Sequence, residues 1–342
     1  MRRIITTAVA LLLAGAALVP QGSAMAGAQA GPQAGTQATC HGLAATMVYG
    51  NGDDLVTGTT GDDVVVLGGG NDTWTDPGGD DVVCAGPGDD DLNDGPGHDW
   101  FSGGAGNDGL AFDGSRLQLD VGTGHEQGNG RDAFTGVEAF YGTPDDDRFV
   151  GTAGPDAFNG NGGSDQVYLG RGADWTQAMG DSRVYGGPGA DHLIVQDGAM
   201  ALGGSGADFL ESMLGSPQLI GGRDADVLQA NLSTPAVDGQ QGRDRFGAWF
   251  GTEPMTVDLT TGAASSPVAG QFTVRGVEDV VGTAYDDVLR GTDGANRLTG
   301  GAGDDRIAGR GGDDTLDGGD GTDRADGGGG RDTCTAETVL RC

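Results

Sequence analysis

Between Tyr49 and Ala111 a large apolar residue returns every nine positions without a slip: Val56, Val65, Trp74, Val83, Leu92, Phe101 and Leu110. The residues between are mostly glycine, aspartate and other small or polar types. A strand presents successive side chains to opposite faces, so the apolar residue points inward while its two neighbours point out. The other six residues of each unit make a turn. Two units then form an 18-residue coil with one strand on each of two sheets, and the turns stack along two edges. This predicts an all-β fold, a parallel β-roll (right-handed β-helix solenoid) with two nonapeptides per coil.

The sixth position is as fixed as the eighth. The units follow the pattern G-G-x-G-x-D-x-U-x, with U large and apolar and Gly103–Ala111 the cleanest copy, and the sixth residue is Asp54, Asp63, Asp72, Asp81, Asp90, Asp99 and Asp108 in turn. Glycine at the first, second and fourth positions permits positive φ and close backbone approach. The aspartates bring an anionic oxygen to every turn, and tight turns free carbonyl oxygens. Many hard oxygen ligands suit Ca²⁺, and Mg²⁺ much less, because Mg²⁺ demands tight octahedral geometry. A flexible, solvated Gly/Asp-rich segment does not explain the unbroken apolar eighth position. Coils of 18 residues place Asp54, Asp72, Asp90 and Asp108 on one edge and Asp63, Asp81 and Asp99 on the other.

The pattern divides the chain. Residues 49–111 form a first array and 112–141 an insert. A second array over 142–247 carries Asp147, Asp156, Asp165 and Asp174 in step, then Asp191, Asp208, Asp226 and Asp244 spaced 17 or 18 apart. The halves between these later turns lack the motif, which predicts carboxylates on one edge only. The opposite face carries Met200, Met213, Leu214 and Pro235 and is read as drift in a repeat protein, with a partner surface as the alternative. A second insert covers 248–281. A third array, 282–335, has Asp287, Asn296, Asp305, Asp314, Asp323 and Asp332 at its sixth positions; Asn296 keeps an oxygen but loses a charge. Its eighth positions shrink to Ala325 and Cys334, as a tapering end requires, and 336–342 form a cap. Both inserts contain a short alternating strand, Leu117–Val121 and Met255–Leu259, and end in Gly-Val-Glu-x-x-x-Gly-Thr. They read as hairpins lying on the roll, with Glu138 and Glu278 structural rather than added ligands.

The chain of 342 residues has a net charge of −33, and all 18 basic residues are arginine. Such acidity argues against nucleic acid and anionic membrane as partners. The basic start Met1–Arg3, the apolar run Ile4–Val19 and the small residues before Gly27 read as a secretory signal peptide, 1–26. No other segment is long and apolar enough to span a bilayer. Residues 27–48 read as a disordered spacer and N-terminal cap. Four cysteines in an exported chain suggest disulfides. Of the possible pairings, Cys40–Cys84 and Cys334–Cys342 are favoured because each stays local. Zinc is the weaker alternative, with no C-x-x-C and no histidine cluster.

These repeats resemble the RTX, or haemolysin-type, calcium-binding family over most of 49–335. The stretch Cys40–Cys84 looks like the cysteine-capped repeat module of secreted actinobacterial calcium-binding proteins. The resemblance implies Ca²⁺-dependent folding into a β-roll outside the cell. The sixth-position aspartates would be the metal ligands, with carbonyls of the preceding glycines. Two departures stand out: an N-terminal signal replaces the uncleaved C-terminal one typical of RTX toxins and proteases, and no stretch is left for an effector domain. No G-x-S-x-G, H-E-x-x-H or P-loop occurs, and His41, His98, His125 and His192 are scattered. The expected function is therefore a secreted, multiply calcium-binding structural or interaction module, with no catalytic residues and an extracellular protein or polysaccharide as possible partner. The alternatives are a secreted lyase or epimerase acting on an anionic polysaccharide, or an RTX-type toxin.

Overall fold

The computed structural model describes residues 37–127, 130–248 and 251–342; the expected signal peptide and the first part of the spacer lie outside them. Among the described residues there is no helix, and none therefore that could cross a membrane. The chain forms a two-sheet parallel solenoid. One sheet has 15 strands, all parallel, from Leu55–Thr57 to Thr333–Thr335. The other has 20.

The coil length follows the repeat. Val56 pairs with Trp74, Trp74 with Leu92 and Leu92 with Leu110 on the first sheet. Val65, Val83 and Phe101 stack on the second. These eighth-position side chains are all buried, and they make a core one residue deep per strand. In the turns, second-position glycines adopt positive φ. Gly104 has φ 120°, and a Cβ there would lie 2.1 Å from the carbonyl oxygen of Gly86 one coil earlier. Only glycine permits that approach.

The inserts do not lie on the roll as expected; they are woven into the second sheet. Gln118–Asp120, His125–Glu126 and Ala133–Thr135 form an antiparallel meander. Its last strand continues the first array (Phe134 opposite Phe101), and its first strand starts the second (Leu119 opposite Phe149). Thr256–Asp258, Ala263–Ser266 and Gly270–Arg275 do the same between the second and third arrays. A meander reverses direction twice, so its outer strands both run parallel to the coils they meet. The first sheet passes each insert unbroken, with Leu110 beside Phe140 and Phe246 beside Val280.

Both ends are stapled, by Cys40–Cys84 and Cys334–Cys342. Met47–Val48 is the first strand of the second sheet and Thr338–Leu340 the last.

Candidate metal centre: carboxylate ladders along two edges

Beyond the first rung of each ladder, a sixth-position aspartate is held by the coil before it. The N–H of Asp54 donates to Oδ1 of Asp72 at 2.8 Å, that of Asp72 to Asp90 at 2.8 Å, and that of Asp90 to Asp108 at 3.0 Å. On the other edge Asp63 donates to Asp81 and Asp81 to Asp99. The predicted division of the aspartates between two edges is the one observed. One carboxylate oxygen is thus fixed by a backbone N–H, and the other is left over. In fourteen of these residues that second oxygen is buried without a hydrogen-bond partner: Asp72, Asp81, Asp90, Asp99, Asp108, Asp174, Asp191, Asp208, Asp226, Asp244, Asp305, Asp314, Asp323 and Asp332. A buried carboxylate oxygen without a donor is costly. Repeated at this spacing, it fits a row of cations.

The one-sided stretch also has the expected arrangement. Asp156, Asp174, Asp191, Asp208, Asp226 and Asp244 form one continuous ladder. The opposite ladder runs from Asp147 to Asp165 and ends on the hydroxyl of Ser182. At the outer end of this face, exposed Met213 and Leu214 border a cleft of about 650 Å³ with Leu232, Val268 and Ala269.

Other residues complete the ladders. Glu138 accepts the N–H of Asp108, and Glu278 that of Asp244, each standing where a sixth-position aspartate would stand. The two glutamates therefore continue the hydrogen-bonded ladders across the inserts, a positional role in keeping with the structural reading. Asp132, from the first insert, accepts the N–H of Asp99, and Glu337 closes the last ladder on Asp323. The repeated Gly-Val-Glu of the inserts was the available signal for Glu138 and Glu278. Asp132 carried the nonapeptide signal itself, in Gly128-Asn129-Gly130-Arg131-Asp132-Ala133-Phe134, but 24 residues after Asp108 and so out of step with the array; nothing in the pattern marks Glu337.

Threonine at the second position makes a different turn. Thr59, Thr143, Thr152 and Thr283 donate backbone N–H and hydroxyl to the carboxylates of Asp63, Asp147, Asp156 and Asp287. Thr292 does so to Asn296. The β-branched side chain disfavours the positive φ that glycine supplies here, whereas Asn161, Gln240 and Arg310 adopt it at equivalent positions. The threonine turn folds back on its own aspartate instead. All five such turns begin a ladder.

No arginine pairs with a rung: none of the ion pairs found among the described residues involves a sixth-position aspartate. Burial, opposed by the N–H of the preceding rung and reinforced by neighbouring carboxylates, pushes Asp108, Asp174, Asp208, Asp226 and Asp305 up to about 7. Carboxyls that resist ionisation in a bare fold are the ones a divalent cation ionises on binding. The histidines lie apart: His41 packs at a tilt against Trp100, His98 sits 3.4 Å from Asp80, and His192 meets Phe209 edge-on.

No curated protein matches the chain. The family model described as the RTX calcium-binding nonapeptide repeat (4 copies) matches residues 49–73, 78–111, 141–175, 202–232, 281–316 and 299–334. Those segments cover just over half of the chain and carry most of the ladder aspartates of both edges, with Asp191 and Asp244 lying between them. With the parallel roll they form, they place this protein in the RTX calcium-binding repeat family, and its repeats are Ca²⁺-binding repeats.

Proposed function

We propose that the protein is a secreted module whose roll folds on Ca²⁺ and acts outside the cell as a structural or interaction element, without catalysis. The observation that carries this reading is the row of fourteen buried, partnerless carboxylate oxygens. A fold that gathers so many like charges around a core one side chain deep is poorly stable without cations, so binding free energy appears as folding free energy. The ligands are assigned to the open turns: the fourteen aspartates above, with Asp54 and Asp165 at ladder ends. Asp63, Asp147, Asp156 and Asp287 contribute less, because the backbone N–H of a threonine already occupies the Oδ2 that stands free elsewhere. Two disulfides and the acidic surface support an extracellular setting.

The test is circular dichroism of the protein in chelator and during Ca²⁺ addition. Disorder in chelator and β signal at about 10⁻⁴–10⁻³ M Ca²⁺, the range of extracellular modules, are expected. A compact β signal that persists in full in chelator overturns the reading.

A further inference from the structure

Two neighbouring turns on the second edge carry an acid at the first position, where most turns have glycine. They are Asp76 and Asp94. Their side chains point into the roll and are 7 % and 5 % exposed. The space they use is ordinarily left open for the sixth-position carboxylate; a Cβ on first-position Gly186, for instance, would lie 2.4 Å from Oδ2 of Asp191. Here that space holds a second carboxylate. The result is two overlapping trios, Asp76–Asp81–Asp99 and Asp94–Asp99–Asp132, each with ligand oxygens all within 4.8 Å of one another.

The backbone fixes one side of four of these groups. Asp76 accepts the N–H of Gly78, Asp81 that of Asp63, Asp99 that of Asp81, and Asp132 that of Asp99. One oxygen of every member of both trios is buried with no hydrogen-bond partner: Oδ2 of Asp76, Asp81, Asp99 and Asp132, and Oδ1 of Asp94. These oxygens converge from two repeat turns and an insert. No arginine forms an ion pair with them among the described residues.

We propose that Asp76, Asp81, Asp94, Asp99 and Asp132 form a two-cation Ca²⁺ centre, tighter than the ordinary ladder sites and the first to fill. Two trios sharing Asp99 match two ions. Two divalent charges nearly balance five carboxylates, where single ions would leave a large buried excess. All-carboxylate oxygen donors select a hard cation, and calcium affinity rises with ligand charge and rigidity. Asp132 belongs to the first insert, so filling this centre also pins the meander to the first array. This inference rests on the calcium reading above and adds a hierarchy to it.

Calorimetric Ca²⁺ titration with native mass spectrometry of the full protein tests it. In the wild type, two ions should bind about tenfold or more tightly than the rest. D76N/D94N should lose that class, retain the weaker ions and still gain β signal in Ca²⁺. D76G/D94G, which restores the usual first-position glycine, should behave alike and guards against a fold defect peculiar to asparagine. D208N, at an ordinary rung, should reduce the weaker class only. A wild type with a single affinity class, or double variants that keep two tight ions, overturns the proposal while leaving the ladder reading standing. Absence of Ca²⁺ binding in every protein overturns both.

Discussion

Replacing Asp208 by asparagine should have opposite effects with and without calcium. Asp208 is 2 % exposed and lies in the stretch where the opposite edge carries no sixth-position carboxylate, so a single ladder is probed. Its Oδ1 accepts the N–H of Asp191 at 2.9 Å, its own N–H donates to Asp226, and its Oδ2 has no partner. Burial foremost, with the charges of Asp191, Asp226 and Asp224, raises this carboxyl from 3.8 to about 7 against the pull of the Asp191 N–H. A raised folded-state value means that the ionised form opposes folding above it. At about 1.4 kcal/mol per pH unit, the charge costs the cation-free roll up to about 4 kcal/mol above pH 7. Asparagine keeps the Oδ1 acceptor and removes the charge. D208N should therefore refold in chelator at a lower osmolyte concentration than the wild type, because osmolytes favour the compact state. In millimolar Ca²⁺ the same variant should unfold at lower urea, having lost a ligand shared with its neighbours. Both curves can be followed by circular dichroism at about pH 8. Equal destabilisation in both media would refute the reasoning, since it would make Asp208 a hydrogen-bond acceptor and nothing more.

Asp90→Ala should remove ions at the junctions with Asp72 and Asp108, to which it is hydrogen bonded, and spare Asp81 and Asp99; anomalous scattering from lanthanide-soaked crystals reads this, and an ion shared by Asp90 and Asp81 would contradict the two-strand coil. In chelator, acid should restore structure. The stabilising effect of protonated Asp99, Asp108, Asp165 and Asp226 is present in full below about 4 and lost as pH rises through about 7. β content that stays flat between those limits speaks against it. Ca²⁺ affinity should rise with pH over the same interval, because at its lower end each bound ion must displace protons. Thr152→Gly frees the second oxygen of Asp156 and should add Ca²⁺ uptake by native mass spectrometry; an unchanged ion count would show that the threonine turn is not what closes that site.

The roll was legible because its two determinants repeat in step. Position eight fixed the strands and position six fixed the edges, down to the 17-residue coils around Asp191. Elements whose position depends on chain outside the repeat were not legible. Glu138 follows Asp108 by 30 residues and Glu278 follows Asp244 by 34, so the 18-residue spacing that would have exposed them is hidden by the meander between. The meanders themselves read as hairpins on the surface because alternation does not tell whether a strand joins a sheet edge or lies upon it. Asp76 and Asp94 sit at a position whose usual glycine is explained by space, and space is invisible in a pattern of residue types. The five threonine turns have the spacing of ion sites; only the direction of their hydrogen bonds separates them.

The stacking of coils has a mechanical consequence. Backbone hydrogen bonds between parallel strands here run along the long axis of the roll, so an axial pull opens them in tension, one coil after another, and does not shear many at once. Such a body peels from its ends. Cys40–Cys84 spans 44 residues, so a force entering at the N-terminal side passes through sulfur and leaves the first coils slack. Cys334–Cys342 closes the other end in the same way. The first turns to carry load are then those just beyond Cys84, at Asp90 and Asp99. If the roll folds on Ca²⁺ as proposed, calcium concentration would set the force at which this protein begins to lengthen.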